Sequence, residues 1–151
     1  MQPGLSADLA PGDYLSTSYP AVADSVPRAR EEATHFAESA GASADQVDAI
    51  RLAVSEAATN VVVHAYDGAP GEIQLNACVD DEALWIEVAD EGLGLRPRID
   101  GRGLGVGLAL ISQVTEAFTI TNRESGGTEV QMRFGLGLED PLGAPAGRNV
   151  A

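Results

Sequence analysis

Val47, Ile50, Val54, Ala57, Val61 and Ala65 recur at steps of three and four along the chain, and at about 100° per residue they gather on one side of a helix. Ser43, with Gln46 three residues on, forms a capping box that opens this helix, which is predicted to run to about His64. An earlier helix is predicted over residues 24–40, with Pro27 in its first turn and Gly41 just past its end. Alternation replaces this period in "EIQLNACV" (72–79) and "ALWIEVAD" (83–90), two strands joined across Asp80, Asp81 and Glu82. From about Leu104, the positions Leu104, Leu108, Ile111, Val114 and Phe118 return to helical spacing. "FTITN" (118–122) and "TEVQMRF" (128–134) then flank the turn "RESGG" as a second hairpin, and "DYLSTSYPA" (13–21) supplies a first strand. The order is strand, two helices, two strands, helix, two strands. It predicts an α/β two-layer sandwich: a mostly antiparallel mixed sheet with helices on one face.

A chain of 151 residues fits one domain with a real core. The Pro-, Gly- and Ala-rich ends, residues 1–12 and 135–151, read as loose tails around an ordered part at 13–134. No apolar run is long enough to cross a bilayer, and "MQPGLSADLAPGDY" lacks the basic and then apolar order of a secretion signal. A cytoplasmic protein without membrane contact is expected. Cys78, alone and in an alternating segment, reads as a core residue, as do Tyr66 and Trp85. Nine basic against 23 acidic residues give a net charge of −14, which argues against nucleic acid as a direct partner. All nine basic residues are arginine. Without lysine the chain has neither a P-loop nor Schiff-base chemistry, so any phosphate must be held by backbone amides, a metal ion or arginine.

Two polar side chains interrupt the long helix. Glu56 and Asn60 stand one turn apart, about 40° from each other and away from the apolar side. On an isolated helix such a pair is most often a solvated face. Here Leu52 and Val63 project within about 40° of Glu56, so the side is not plainly water-facing. The pair suits phosphate chemistry. A carboxamide oxygen holds Mg²⁺ without adding charge, and a glutamate one turn away can accept a hydroxyl proton near a terminal phosphate.

"DEGLGLRPRIDGRGLGVGL" (90–108) carries six glycines after Asp90. Glycines running into a helix let successive backbone amides turn toward an anion at the positive helix end. Asp90, at a strand end beside Gly92 and Gly94, is placed to accept a hydrogen bond from an exocyclic amine such as that of adenine; alone it would be an ordinary turn residue.

With these pieces in order, the sequence resembles the GHKL ATPase superfamily. "EAATN" from Glu56 to Asn60 matches its N-box, "DEGLG" from Asp90 to Gly94 its first glycine box, "GLGVGL" from Gly103 to Leu108 its second, and "GGT" ending at Thr128 the short motif before the last strand. The small size and the wording "AVSEAATNVVVHAY" and "GRGL" are most similar to the anti-sigma factor serine/threonine kinases. The resemblance implies the Bergerat fold with ATP and Mg²⁺. By motif position Glu56 is the catalytic base and Asn60 the metal ligand. Asp90, with Gly92 and Gly94, takes the adenine amine; Gly103, Leu104, Gly105, Val106 and Gly107 hold phosphates; Thr128 supports the adenine end. Only about eight residues between Gly94 and Gly103 remain for a lid over ATP. Arg102 stands where it can reach phosphate or lie in solvent, and His64 either lines the site or caps its helix, with the cap favoured.

The implied activity is a protein kinase and anti-sigma factor, which phosphorylates a serine or threonine on a STAS-type anti-sigma antagonist, sequesters a sigma factor and pairs as a homodimer. Two alternatives share the site: a non-catalytic ATP-binding module that acts by occupancy, and a positive switch kinase of the same family. A DNA-acting ATPase is not expected from so acidic a chain without a transducer domain, nor a histidine kinase, since no dimerisation helix with a phosphoacceptor histidine precedes the domain.

Overall fold

The computed structural model describes residues 14–80, 82–94 and 105–136. Strand β1 spans Tyr14–Pro20, helix α1 Ser25–Ser39 and helix α2 Ala44–Asn60, which continues without a break into a π-helical turn at Val61–Ala65. Then come β2 (Glu72–Asp80), β3 (Ala83–Ala89), α3 (Gly105–Val114), β4 (Ala117–Asn122) and β5 (Thr128–Gly135). The five strands form one sheet in the order β1-β2-β3-β5-β4. Every pairing is antiparallel, so the mostly antiparallel sheet expected from the sequence has no parallel pair among the described residues. Of the expected tails, only Gly135, which closes β5, and Leu136 fall within them.

The register arranges the strands into rows that alternate between the two faces. Leu15, Ala77, Ile86, Met132 and Phe118 stand side by side across all five strands, and Thr17, Leu75, Val88, Val130 and Ile120 form the next row on the same face. Between them, pointing the other way, lies the row Ser16, Asn76, Glu87, Gln131 and Thr119. Apolar rows pack under the helices, and the polar row is tied across the opposite face. Ser16 Oγ donates to Asn76 Oδ1 at 2.8 Å and Asn76 Nδ2 to Glu87 Oε1 at 2.9 Å, while Gln131 Nε2 reaches Glu87 Oε2 at 3.3 Å. A slip of one residue in any strand would exchange these rows and bury the polar one, which is why the alternation in the sequence fixes the pairing.

All three helices cover the apolar face. Ala29, Ala33 and Ala37 of α1 are fully buried, as are Ile50, Ala53, Val54 and Ala58 of α2 and Ile111 of α3. Alanines at steps of four on α1 keep its backbone close to α2 and the sheet. The Ser43 cap forms as expected: its hydroxyl accepts from the Gln46 amide at 3.1 Å, and Gln46 Oε1 accepts from the Ser43 amide at 2.8 Å.

Two side chains differ from expectation. Trp85 is half-buried on the polar face, its indole N–H donating to Asp80 at 3.1 Å and Arg133 stacked over its ring, because it pairs with Cys78 on the outward phase of β3. Cys78 is buried as expected, but on this same outward phase rather than in the core under the helices. Phe118, which both closes the helical spacing and opens the strand "FTITN" in the sequence, lies in β4 as the strand reading has it, and α3 ends at Val114.

Ile86 sits at the middle of the first apolar row with 1 % of its surface exposed. Ile86→Ala is expected to cost about 2–5 kcal/mol, read as a lowered urea midpoint with an unchanged slope.

Candidate functional site

The site is built where the end of α2, the loop after β3, the first turn of α3 and the turn before β5 meet over the second apolar row. Val88, Ile120 and Val130 of that row line a cavity whose other walls include Ala57, Asn60, Val61 and His64 from α2 and its π-helical turn. Asp90, Gly94, Leu108 and Thr128 complete it. Its enclosed volume is about 50 Å³, the deep end of a ligand pocket rather than the whole of one. It is apolar-walled, with Asn60, His64, Asp90 and Thr128 as its polar side chains.

Asp90 follows the last residue of the central strand and is 95 % covered. Its amide donates to the Thr128 carbonyl at 2.9 Å. Its Oδ1 accepts from the Gly92 amide at 2.9 Å and from the Thr128 amide at 3.3 Å. Both bonds end on one oxygen, so the second oxygen is the acceptor available to a ligand in the cavity. Burial pushes this carboxyl above the ordinary carboxylate range, opposed by the two backbone amides and by the Arg123 guanidinium.

Two glycines make this arrangement possible. A Cβ at Gly127 would stand 1.9 Å from the Asp90 carbonyl oxygen, and Gly127 has φ +98°. A Cβ at Gly92 would stand 2.0 Å from the Ala65 carbonyl oxygen, the same carbonyl that accepts from the Leu93 amide at 2.7 Å. Gly92 thus works by letting the loop seat on the end of the π-helical turn and by donating its amide to Asp90; it is Gly94 that reaches the cavity wall.

Glu56 and Asn60 are half-buried on the side of α2 away from the core. The first turn of α3 crosses directly over them. A Cβ added at Gly107 would lie 3.0 Å from Glu56 Oε1 and 3.5 Å from the Asn60 amide nitrogen. Gly107 is buried, and a larger residue there would press on Glu56, so the first turn of α3 packs this closely because position 107 has no side chain. The neighbours noted in the sequence split: Leu52 is half-buried, whereas Val63 is 59 % exposed.

The structure therefore brings Asn60, Asp90, Gly94 and Thr128 to one cavity and sets Glu56 beside Gly107 at its edge. Of the second glycine box, Gly105, Val106 and Gly107 open α3; Arg102, Gly103 and Leu104 lie outside the described residues. His64 lines the cavity instead of only capping its helix. His64 lies four residues beyond Asn60, in the π-helical turn that continues α2, and so stays on the same side of the helix as Asn60.

Two residues without a functional role in the sequence reading brace the loop beside the cavity. Tyr66, read as core, accepts from the Glu91 amide at 3.0 Å and donates to the Glu72 carbonyl at 2.7 Å, bracing the loop after Asp90. Arg123 donates to the Asp90 carbonyl at 3.2 Å. Neither lies in a motif; each acts through backbone groups that are adjacent only once the sheet has formed.

Comparison with known proteins follows this geometry. The family model described as the histidine kinase-like ATPase domain matches residues 19–134. An anti-sigma F factor of Clostridium acetobutylicum is 28 % identical over 116 residues, covering 70 % of this chain and 81 % of that protein. The serine-protein kinase RsbW of Staphylococcus epidermidis is 30 % identical over 139 residues, covering 81 % and 87 % respectively. The crystal structure of the RsbU and RsbW domains of a Mycobacterium tuberculosis protein superposes with a TM-score of 0.64 at 22 % identity. It covers 80 % of this chain, which spans 32 % of that longer one, and the likeness establishes the fold.

Asp90→Asn keeps an oxygen for the two amides and removes the buried charge. Because the folded carboxyl holds its proton more tightly than the unfolded one, its contribution to stability is full below the unfolded value and is lost as pH rises through the folded one. The variant is expected to melt at or above the wild-type temperature at pH 7, with a smaller advantage at pH 4, in parallel thermal melts.

Proposed function

The chain belongs to the histidine kinase-like ATPase family, and on that footing we propose that it is an ATP-dependent serine/threonine protein kinase that acts as an anti-sigma factor. The observation that carries the reading is Gly107, in the first turn of α3, packed against Glu56 and Asn60 beside a cavity that Asn60 and Asp90 both line. The residues fit a nucleotide bound with Mg²⁺. Asp90 offers an acceptor to an exocyclic amine over the apolar floor of Val88 and Val130, and the glycine-rich start of α3 beside Glu56 and Asn60 is where helix-end amides would take phosphate. Asn60 is the neutral oxygen that would hold the metal.

Bound ATP supplies the phosphoryl group. Glu56 accepts the proton of an incoming serine or threonine hydroxyl, as that oxygen bonds to phosphorus and the bond to the ADP oxygen breaks. The α3 amides and the metal ligand Asn60 hold the phosphates in line, which matters in a chain with no lysine. The names of the relatives, anti-sigma F factor and serine-protein kinase RsbW, support a sigma factor and an antagonist protein as the partners. The resemblance extends this to a STAS-type antagonist and a homodimer. No helix of the described residues is long and apolar enough to cross a membrane, which accords with a switch that works on soluble partners.

The test is transfer of labelled γ-phosphate from Mg-ATP to candidate antagonist proteins of the same genome. Glu56→Ala is expected to lower transfer roughly a hundredfold or more with ATP affinity nearly unchanged. Asn60→Ala should weaken ATP binding only when Mg²⁺ is present. ATP binding without transfer to any candidate would instead make the protein a switch that acts by occupancy.

A further inference from the structure

Arg123 opens the turn between β4 and β5 and contributes nothing to the cavity wall. Its guanidinium nevertheless meets three segments, the loop after β3, β2 and β5. One nitrogen donates to the Asp90 carbonyl and to Gln74 Oε1 on β2, each at 3.2 Å. Another lies 3.9 Å from Glu129 Oε2 on β5, and the side chain is 25 % exposed. Its own backbone closes the glycine turn: the Arg123 amide donates to the Gly127 carbonyl at 2.9 Å and its carbonyl accepts from the Gly126 amide at 3.0 Å. Gln74 passes the link on, its amide reaching Glu91 Oε2 at 3.3 Å.

These contacts converge on the peptide between Asp90 and Glu91. Gly127 presses on its carbonyl from one side, Arg123 bonds that carbonyl, and Tyr66 holds its N–H. A fixed peptide there fixes the Gly92 and Thr128 amides relative to Oδ1, and so the direction of the remaining carboxylate oxygen. We infer that Arg123 is a positioning residue for adenine recognition, which aims the Asp90 carboxylate without touching the ligand. The inference rests on the reading that a nucleotide base occupies this cavity. The positive charge behind the loop also opposes the upward push of burial on the Asp90 carboxyl. A fork that serves two acceptors and lies beside a carboxylate is a task for arginine, and no motif of the family resemblance includes this position.

Binding of ATP and of adenosine is measured by calorimetry for the wild type, R123M, R123K and N60A. R123M is expected to weaken ATP and adenosine by the same factor, about tenfold, as the loss of a charge-assisted contact would, and to melt within about 3 °C of the wild type. R123K, which keeps the charge, should recover at least half of that loss on a logarithmic scale. N60A should weaken Mg-ATP and spare adenosine. The inference is overturned if R123M binds adenosine as the wild type does, if it weakens ATP alone, or if R123K recovers nothing. Should R123M fail to fold, the R123K affinity decides on its own: wild-type or intermediate adenosine binding supports the inference, and a full tenfold loss refutes it. A wild type that binds neither ligand overturns the nucleotide reading itself, and the inference with it.

Discussion

The carboxylate of Asp90 is held at the end of the central strand by two backbone amides, one from each glycine segment that follows it in sequence or in space. Everything else at the site depends on that attachment. It ties the loop after β3 to the turn before β5, and the loop in turn seats on the last carbonyl of the π-helical turn. The two approaches leave no room for side chains, at Gly127 over the Asp90 carbonyl and at Gly92 over the Ala65 carbonyl. A charged group under such burial is costly, and a fold meets that cost where the charge has a task.

The electrostatic design follows from composition. A chain with a net charge of −14 and no lysine cannot hold a polyphosphate by clustered ammonium groups. On the proposed reading a helix end and a carboxamide take that part, and Gly107 leaves the contact between α3 and Glu56 free of a side chain at that position. Among the described residues, Arg123 stands behind the cavity, bonded to the Asp90 carbonyl, and Arg133 lies over Trp85 on the polar face.

The π-helical turn couples α2 to the loop after β3. Glu56 and Asn60 stand on regular α2, while His64 and Ala65 belong to the wider turn. The turn brings His64 to the cavity and delivers the Ala65 carbonyl to Leu93. One helix thereby lines the cavity with Ala57 and Asn60 and anchors the loop after β3 with its end.

Much of this was legible in the sequence, and for a definite reason. Period and alternation placed the elements to within one or two residues, except that the helical spacing of the third helix continued to Phe118 while α3 ends at Val114. Local patterns, from the Ser43 cap to the glycine-flanked turns, depend on neighbours along the chain and can be read there. The motif residues Glu56, Asn60, Asp90 and Thr128 were legible as well, because their spacing reflects one helix and the ends of adjacent strands. Long-range contact decided the rest. That Gly92 packs on the Ala65 carbonyl, that Tyr66 braces Glu91 and that Arg123 grips the Asp90 peptide all depend on segments distant in sequence that the fold brings together. Sequence periodicity records which face a residue takes; only the packed sheet decides which backbone carbonyl lies beneath it.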